Sequence, residues 1–318
     1  MTAYRASNDA EFLRQTEAAL LNAPFEVGGW TRALSMLASA THSRGSNFLC
    51  IGSRLPTLNL FTGYTDHEVQ KTFGDAELWG RPNWRIGSVA GPLEVQHEAH
   101  YQTYRRLHST NYYDDATRDI DMPFGCQTLF DREGDSFVGV ALMRGRRDGP
   151  CTDLTISRFT RLAHLMHQAV RAEDAMAGEG SRIALGEWSA VSQPVLLVNR
   201  HRWLCAMSPS AEAFLEKNGP FRLRGALLGL RHPLDHHRWL QLIGYMLGDA
   251  PCRVPATLRL RGFPGTSLRV VPLGSAGSEL GFGPCLSVAI ETEPPLSGAS
   301  PARKEVPRER LYGRGEHR

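Results

Sequence analysis

The sequence predicts an α+β chain of two mixed domains, each an antiparallel sheet with flanking helices, joined by one long helix. Three observations predict it. Residues 8–42 carry apolar side chains at helical spacing. Short strand signals cluster before residue 144 and again after residue 195. Between those clusters an apolar stripe of helical period runs from about Asp153 to about Met176. The divisions read as an N-terminal domain over 1–150, a connecting helix over 151–180, a second domain over 181–292 and a disordered tail over 293–318.

Each element has a local reason. Phe12, Ala19 and Leu20 share one face, and Trp30, Leu34, Leu37, Ala38 and Thr41 share another, with Val27-Gly28-Gly29 breaking the region into two helices. Asn47–Ile51 and Leu58–Thr62 read as strands, and residues 65–115 are mixed and rich in aromatics. Gln127–Phe130 and Phe137–Met143 form the arms of a hairpin whose turn is Asp131–Asp135. Gly149-Pro150 then ends the first domain. Asp153 is placed to cap the long helix, and Phe159, Leu162, Met166 and Ala169 form a narrow seam along it. That seam suits either a coiled-coil partner or packing on the first domain. Ala175–Ser181 reads as a flexible joint.

In the second domain PVLLVNRHRWLCAM is strand, turn and strand, and Ser208 and Pro209 open a short helix that Gly219 follows. A short apolar piece, Leu227–Leu230, and a helix over His236–Met246 come next. The strands Thr257–Arg261, Ser267–Leu273 and Pro284–Ile290 complete the sheet, with Leu286, Val288 and Ile290 on one side. From Glu291 the chain turns polar and rich in Pro, Gly, Ser, Arg and Glu, the composition of a disordered tail.

The chain has 318 residues, 42% hydrophobic and 22% charged, enough for two cores. A net charge of +3 is too small to argue for nucleic acid or membrane by bulk electrostatics. No apolar run approaches the roughly 20 residues of a membrane span. The opening MTAYRASNDAEFLR lacks the apolar core of a secretion signal, so a cytoplasmic location is expected. The cysteines Cys50, Cys126, Cys151, Cys205, Cys252 and Cys285 are scattered among apolar neighbours and read as buried free thiols.

No catalytic centre, metal site or cofactor site is expected. Gly134-Asp135-Ser136 spells the start of an esterase motif, but it lies in a hairpin turn rather than the strand-to-helix elbow a nucleophile needs. A hydrolase using Ser136 stays the alternative. Pro233 separates His232 from His236 and His237, and His164 and His167 read as a solvated helix face or a satisfied core contact rather than a ligand pair. The glycines Gly274, Gly277, Gly281 and Gly283 lead into a strand, not a helix, which argues against a phosphate loop. In the tail, Arg303, Lys304, Arg308, Arg310, Arg314 and Arg318 are interrupted by Glu305, Glu309 and Glu316, as in a solvated segment. Tyr64, Trp79, Trp84, Tyr101, Tyr104, Tyr112 and Tyr113 suit a small-molecule pocket or a plain core. Trp79, Trp84, Tyr101 and Tyr104 are the ligand-binding candidates.

Across most of its length the chain resembles LuxR-type helix-turn-helix regulators that carry a divergent N-terminal sensor region and a PAS-like domain. NAPFEVGGWTRALSMLASATHS, with Pro24 and Trp30, resembles that family's opening helices, and DSFVGVALMRGRRDGPCTDLTISRFTRLAHLMHQAVRA its hairpin and connecting helix. PVLLVNRHRWLCAMSPSAEAFLEKNG resembles the PAS entry, with Ser208 where the family has Asn, and LRLRGALLGL and SLRVVPL resemble later PAS elements. The resemblance implies GAF- or PAS-like sheets and the sensory part of a transcriptional regulator that takes an unknown small molecule or protein partner. It also implies a homodimer through residues 153–176 or mixed dimers with intact relatives. The helix-turn-helix that the resemblance leads one to expect has no counterpart here, since the segment beyond Glu291 has no apolar face to build it. Direct DNA binding is therefore not expected of this chain, and a truncated or frameshifted, non-functional product is a further alternative.

Overall fold

The computed structural model describes residues 2–51, 58–73, 83–133, 136–189, 193–216, 219–247, 254–273 and 279–292. The described chain is mixed helix and antiparallel sheet. The expected tail, 293–318, lies outside the described residues, as do Trp79 and Cys252.

Two helices open the chain, α1 (Thr2–Asn22) and α2 (Gly29–Ala40). The break between them has a backbone cause. Gly28 takes φ +70°, and a Cβ on Gly29 would fall 2.4 Å from the Ala23 carbonyl oxygen. On α2 the residues Trp30, Ala33, Leu34, Leu37 and Ala38 are buried, as their helical spacing demands.

The first sheet has four antiparallel strands in the order β2-β1-β4-β3: β1 (Gly45–Ile51), β2 (Leu58–Thr62), β3 (Gln127–Glu133) and β4 (Ser136–Met143). Phe48 pairs with Val140 and Asn47 with Ala141. Alternation divides the faces. Phe48, Phe130, Val140 and Leu142 meet α1 and α2 in one core, whereas Ala141 and Met143 face a second cluster with Phe73, Trp84, Tyr101 and Tyr113. Four short helices cover that second face: α3 (Asp66–Phe73), α4 (Trp84–Gly87), α5 (Glu98–Leu107) and α6 (Asn111–Ala116).

The long helix α7 runs over Asp153–Ser189. This corrects one expectation. The Ala175–Ser181 segment is helical and not a joint, because its small residues still satisfy the helical ladder and Ser181 donates to the Ala177 carbonyl at 2.8 Å. The seam Phe159, Leu162, Met166 and Ala169 is buried in the first core. Of the two readings of the seam, packing on the first domain is the one these four residues show. Near its C-terminal end α7 changes partner, as Ala184 and Leu185 pack on Val195, Leu197 and Ala289.

The second sheet has five antiparallel strands in the order β6-β5-β11-β10-β9: β5 (Val195–Asn199), β6 (Leu204–Met207), β9 (Ala256–Arg259), β10 (Thr266–Pro272) and β11 (Pro284–Thr292). A two-stranded ribbon, β7 (Phe221–Arg224) and β8 (Leu227–Leu230), and helix α9 (Pro233–Leu247) cover its other face. Leu286, Val288 and Ile290 share a core with Leu196, Val198, Trp239 and Ile243. The short helix α8 (Pro209–Glu212) starts after Ser208, but the Ser208 hydroxyl makes no capping bond. It instead accepts from the Val195 amide at 3.0 Å, tying α8 to β5.

The two sheets also meet through the β10–β11 connection. Leu280 is fully buried in the core that contains Trp30 and Leu34. Glu279 accepts from the Thr31 amide at 3.0 Å, in the first turn of α2. The β5–β6 turn holds this connection: His201 donates from Nε2 to the Leu280 carbonyl at 2.6 Å, and Asn199 donates to the Phe282 carbonyl at 3.3 Å.

Candidate functional site

The outward face of the first sheet encloses a cavity of about 50 Å³. Its floor is built by alternate residues, Asn47 and Leu49 on β1, Gln127 and Leu129 on β3, and Gly139, Ala141 and Met143 on β4. Its roof comes from Phe73 of α3, Asn83, Arg85 and Ile86 at α4, Val89, and Tyr113 of α6. The room has a sequence cause. Gly139 and Ala141 are the small residues of β4 on this face, and a Cβ at Gly139 would lie 2.6 Å from the Thr128 carbonyl oxygen.

Arg85 is the charge in this wall. It sits in the first turn of α4, where Asn83 caps the helix by accepting from the Arg85 amide at 2.9 Å. The residue is 4% exposed. Nη2 donates to the Met122 carbonyl at 2.7 Å and the Phe124 carbonyl at 3.1 Å, while Nε and Nη1 are buried without a hydrogen-bond partner. No carboxylate among the described residues forms an ion pair with it. Arg144, the other buried arginine, shows the contrast. Its Nε donates to the Gly149 carbonyl, its Nη1 to the Thr41 and His42 carbonyls and its Nη2 to the Asp148 carbonyl. A structural arginine is satisfied on all its nitrogens. The Arg85 charge is answered by the two carbonyls, the Trp84 and Tyr101 rings and the Tyr113 hydroxyl, with no carboxylate among the described residues paired to it, and a buried charge so incompletely matched opposes folding.

The aromatic residues singled out from the sequence form a layer behind Arg85. Two guanidiniums lie over the Trp84 ring, Arg85 at 4.4 Å and Arg105 at 4.3 Å from its centroid. Its Nε1 donates to Asp114 at 2.8 Å, and Asp114 also accepts from Arg105 at 2.7 Å. Tyr101 stacks on Trp84 with ring centroids 4.7 Å apart, donates to the Gln96 carbonyl at 3.3 Å and lies 5.8 Å from the Arg85 guanidinium. Tyr104 stacks on His108, with centroids 4.3 Å apart. Trp84, Tyr101 and Tyr104 are not among the residues that line the cavity, whereas Tyr113 is. Burial pushes the Tyr101 and Tyr113 hydroxyls up, and the Arg85 charge opposes that rise. Sequence reasoning passed over Arg85 because an arginine two residues after an Asn cap looks like any solvated helix start. The one available signal was its place inside an aromatic-rich stretch.

The remaining sequence candidates are not brought together. Ser136 opens β4, and its neighbours Gly134 and Asp135 lie outside the described residues. His236 accepts from the Leu230 amide at 3.3 Å, and His232 lies 3.6 Å from Asp235. His167 stacks on Phe130, with centroids 5.4 Å apart, the core contact of its two readings. Among the described residues no group of three or more His, Cys, Asp or Glu is placed to hold a metal ion. No helix among them is long and apolar enough to cross a membrane.

No family model matches the chain, and no curated protein matches it. Several solved structures resemble it distantly, two of them as follows. Bacteriophytochrome RpBphP3 from the photosynthetic bacterium R. palustris is 11% identical at a TM-score of 0.35, covering 89% of this chain. This chain spans 62% of the bacteriophytochrome's length. The E. coli DhaR(N)-DhaL complex is 13% identical at a TM-score of 0.25, covering 90% of each chain. At these TM-scores neither likeness carries an argument about function.

Proposed function

We propose that this chain is a sensory, regulatory protein whose first sheet binds a small molecule in the Arg85 cavity. The observation that carries this is a sheet-backed cavity lined in part by Arg85, a buried arginine whose Nε and Nη1 have no hydrogen-bond partner. A protein that only needed a packed core would place an apolar residue there, because an unpaired buried charge opposes folding. A ligand that completes the arginine's bonds would repay that cost on binding, and binding to the folded state alone stabilises it.

The resemblance to LuxR-type regulators supports the finer reading, a GAF- or PAS-like sensory region acting on transcription. The first sheet would report occupancy through α7, which packs in the first core and then on the second sheet. A thermal-shift screen of small acids, amines, sugars and alcohols tests the reading, with Ala141→Phe to fill the cavity. Compounds that raise the melting temperature of the parent chain should fail to raise that of the filled variant. Equal shifts in both, or no shift from any compound, would overturn it.

A further inference from the structure

We infer that the Arg85 cavity takes a small organic monocarboxylate, its carboxylate against the Arg85 guanidinium and its short apolar body against the sheet. This rests on the reading of the cavity as a ligand site and adds the class of ligand.

The charge argument comes first. Among the described lining residues Arg85 is the one charged side chain; the other polar groups are Asn47, Asn83, Gln127, Thr128 and Tyr113. A single buried cation calls for a single negative charge. A monoanion leaves the site neutral, whereas a phosphate dianion would leave net negative charge in an apolar wall with no second cation among the described lining residues to answer it. Three of the five guanidinium protons are left over, on Nε and Nη1, and charge-assisted bonds from arginine to carboxylate are among the strongest a protein makes.

Shape and polarity set the rest. Leu49, Phe61, Phe73, Ile86, Phe137 and Met143 give the cavity an apolar surface. Its 50 Å³ holds roughly three to five waters, far below the roughly 300–1,000 Å³ of pockets for drug-sized ligands. That admits an acid of a few carbons and not a sugar acid or a nucleotide. The site is also braced for one orientation. Trp84 and Tyr101 hold the guanidinium from behind, and the Asp114–Arg105 pair holds Trp84. Such bracing keeps Nε and Nη1 in place before a ligand arrives.

The test is calorimetric titration of the full chain, in chloride buffer free of other carboxylates, with propionate and butyrate. Propionamide and butyramide are the neutral counterparts, and inorganic phosphate is the competing oxyanion. We expect an acid to bind and its amide to bind at least tenfold more weakly. Arg85→Met should weaken the acid about 10- to 100-fold, the worth of a hydrogen bond to a charged group, and leave the amide unchanged. The ligand-free melting temperature of Arg85→Met should hold or rise, which separates loss of the anchor from loss of the fold. Thr128→Val, which keeps the charge, should weaken the acid less than Arg85→Met does. Acid and amide binding alike, or an acid affinity untouched by Arg85→Met, would overturn the carboxylate and leave the ligand site standing. Phosphate binding that neither acid displaces would overturn it in favour of an inorganic anion. Absence of binding by acids, amides and phosphate at about 10 mM would end both readings.

Discussion

Leu280→Ala tests whether the two sheets share a core. Leu280 lies in the β10–β11 connection yet is fully buried with Trp30, Leu34 and Phe159, which belong to the first sheet's helices. The substitution removes three carbons from water-excluded packing. At about 0.8 kcal/mol per buried carbon the transfer cost is about 2.4 kcal/mol, and a connection able to relax adds little for the cavity. The expected loss is therefore about 2–3 kcal/mol in urea unfolding of the full chain. Leu234→Ala is the control, since Leu234 is 56% exposed and its loss should fall within about 0.5 kcal/mol. Hydrogen exchange supplies a local readout. The Thr31 amide donates to Glu279, so its protection should drop when the connection loosens. A loss no larger than that of Leu234→Ala, with Thr31 protection unchanged, would refute the shared core.

Two further predictions concern titrating groups. Burial, with Arg200 nearby, lowers the His201 pKa from 6.5, so the folded state prefers the neutral ring that donates to the Leu280 carbonyl. The stability this gives is present above the unfolded pKa of 6.5 and is lost as pH falls through the lowered folded value. His167 and His236 are shifted in the same direction, also mainly by burial. The urea midpoint should fall from about pH 7.5 to about pH 5.5, less steeply in His201→Gln; an equal slope in that variant would remove His201 as a contributor. Burial also pushes the thiols of Cys50 and Cys205 up to about 12 and that of Cys285 to about 11, and raises Cys126 well above its usual range. These four should resist a thiol reagent at mildly alkaline pH until the chain is unfolded, and rapid native labelling of any of them, mapped by mass spectrometry, would contradict their placement.

Much of the secondary structure was legible from local pattern. Leu58–Thr62 stands as expected, and Asn47–Ile51 and Pro284–Ile290 grow by only two residues each, because strand period and apolar content are properties of a few neighbours. The break at Gly28-Gly29 was legible for the same reason, since glycine states its backbone need in the sequence. The sequence also marked the aromatic-rich stretch that frames the cavity, though not which of its residues would line it.

What each stripe packs against was decided by tertiary structure alone. The seam of α7 has the spacing of a coiled coil, and only the approach of α1 and α2 shows that it is filled from within. AMAGEGS reads as a joint by composition, yet ordered partners on both sides of it carry the helix through, because packing outweighs weak local propensity. Arg85 is the sharpest case. Nothing local distinguishes it from Arg105 or Arg106; burial came from the β4 face, α5 and α6 closing around it, and its free nitrogens from the distant Met122 and Phe124 carbonyls satisfying only one of the three. Burial and unmet hydrogen bonds are sums over neighbours far apart in the chain, so the sequence determined the elements and the tertiary structure determined the site.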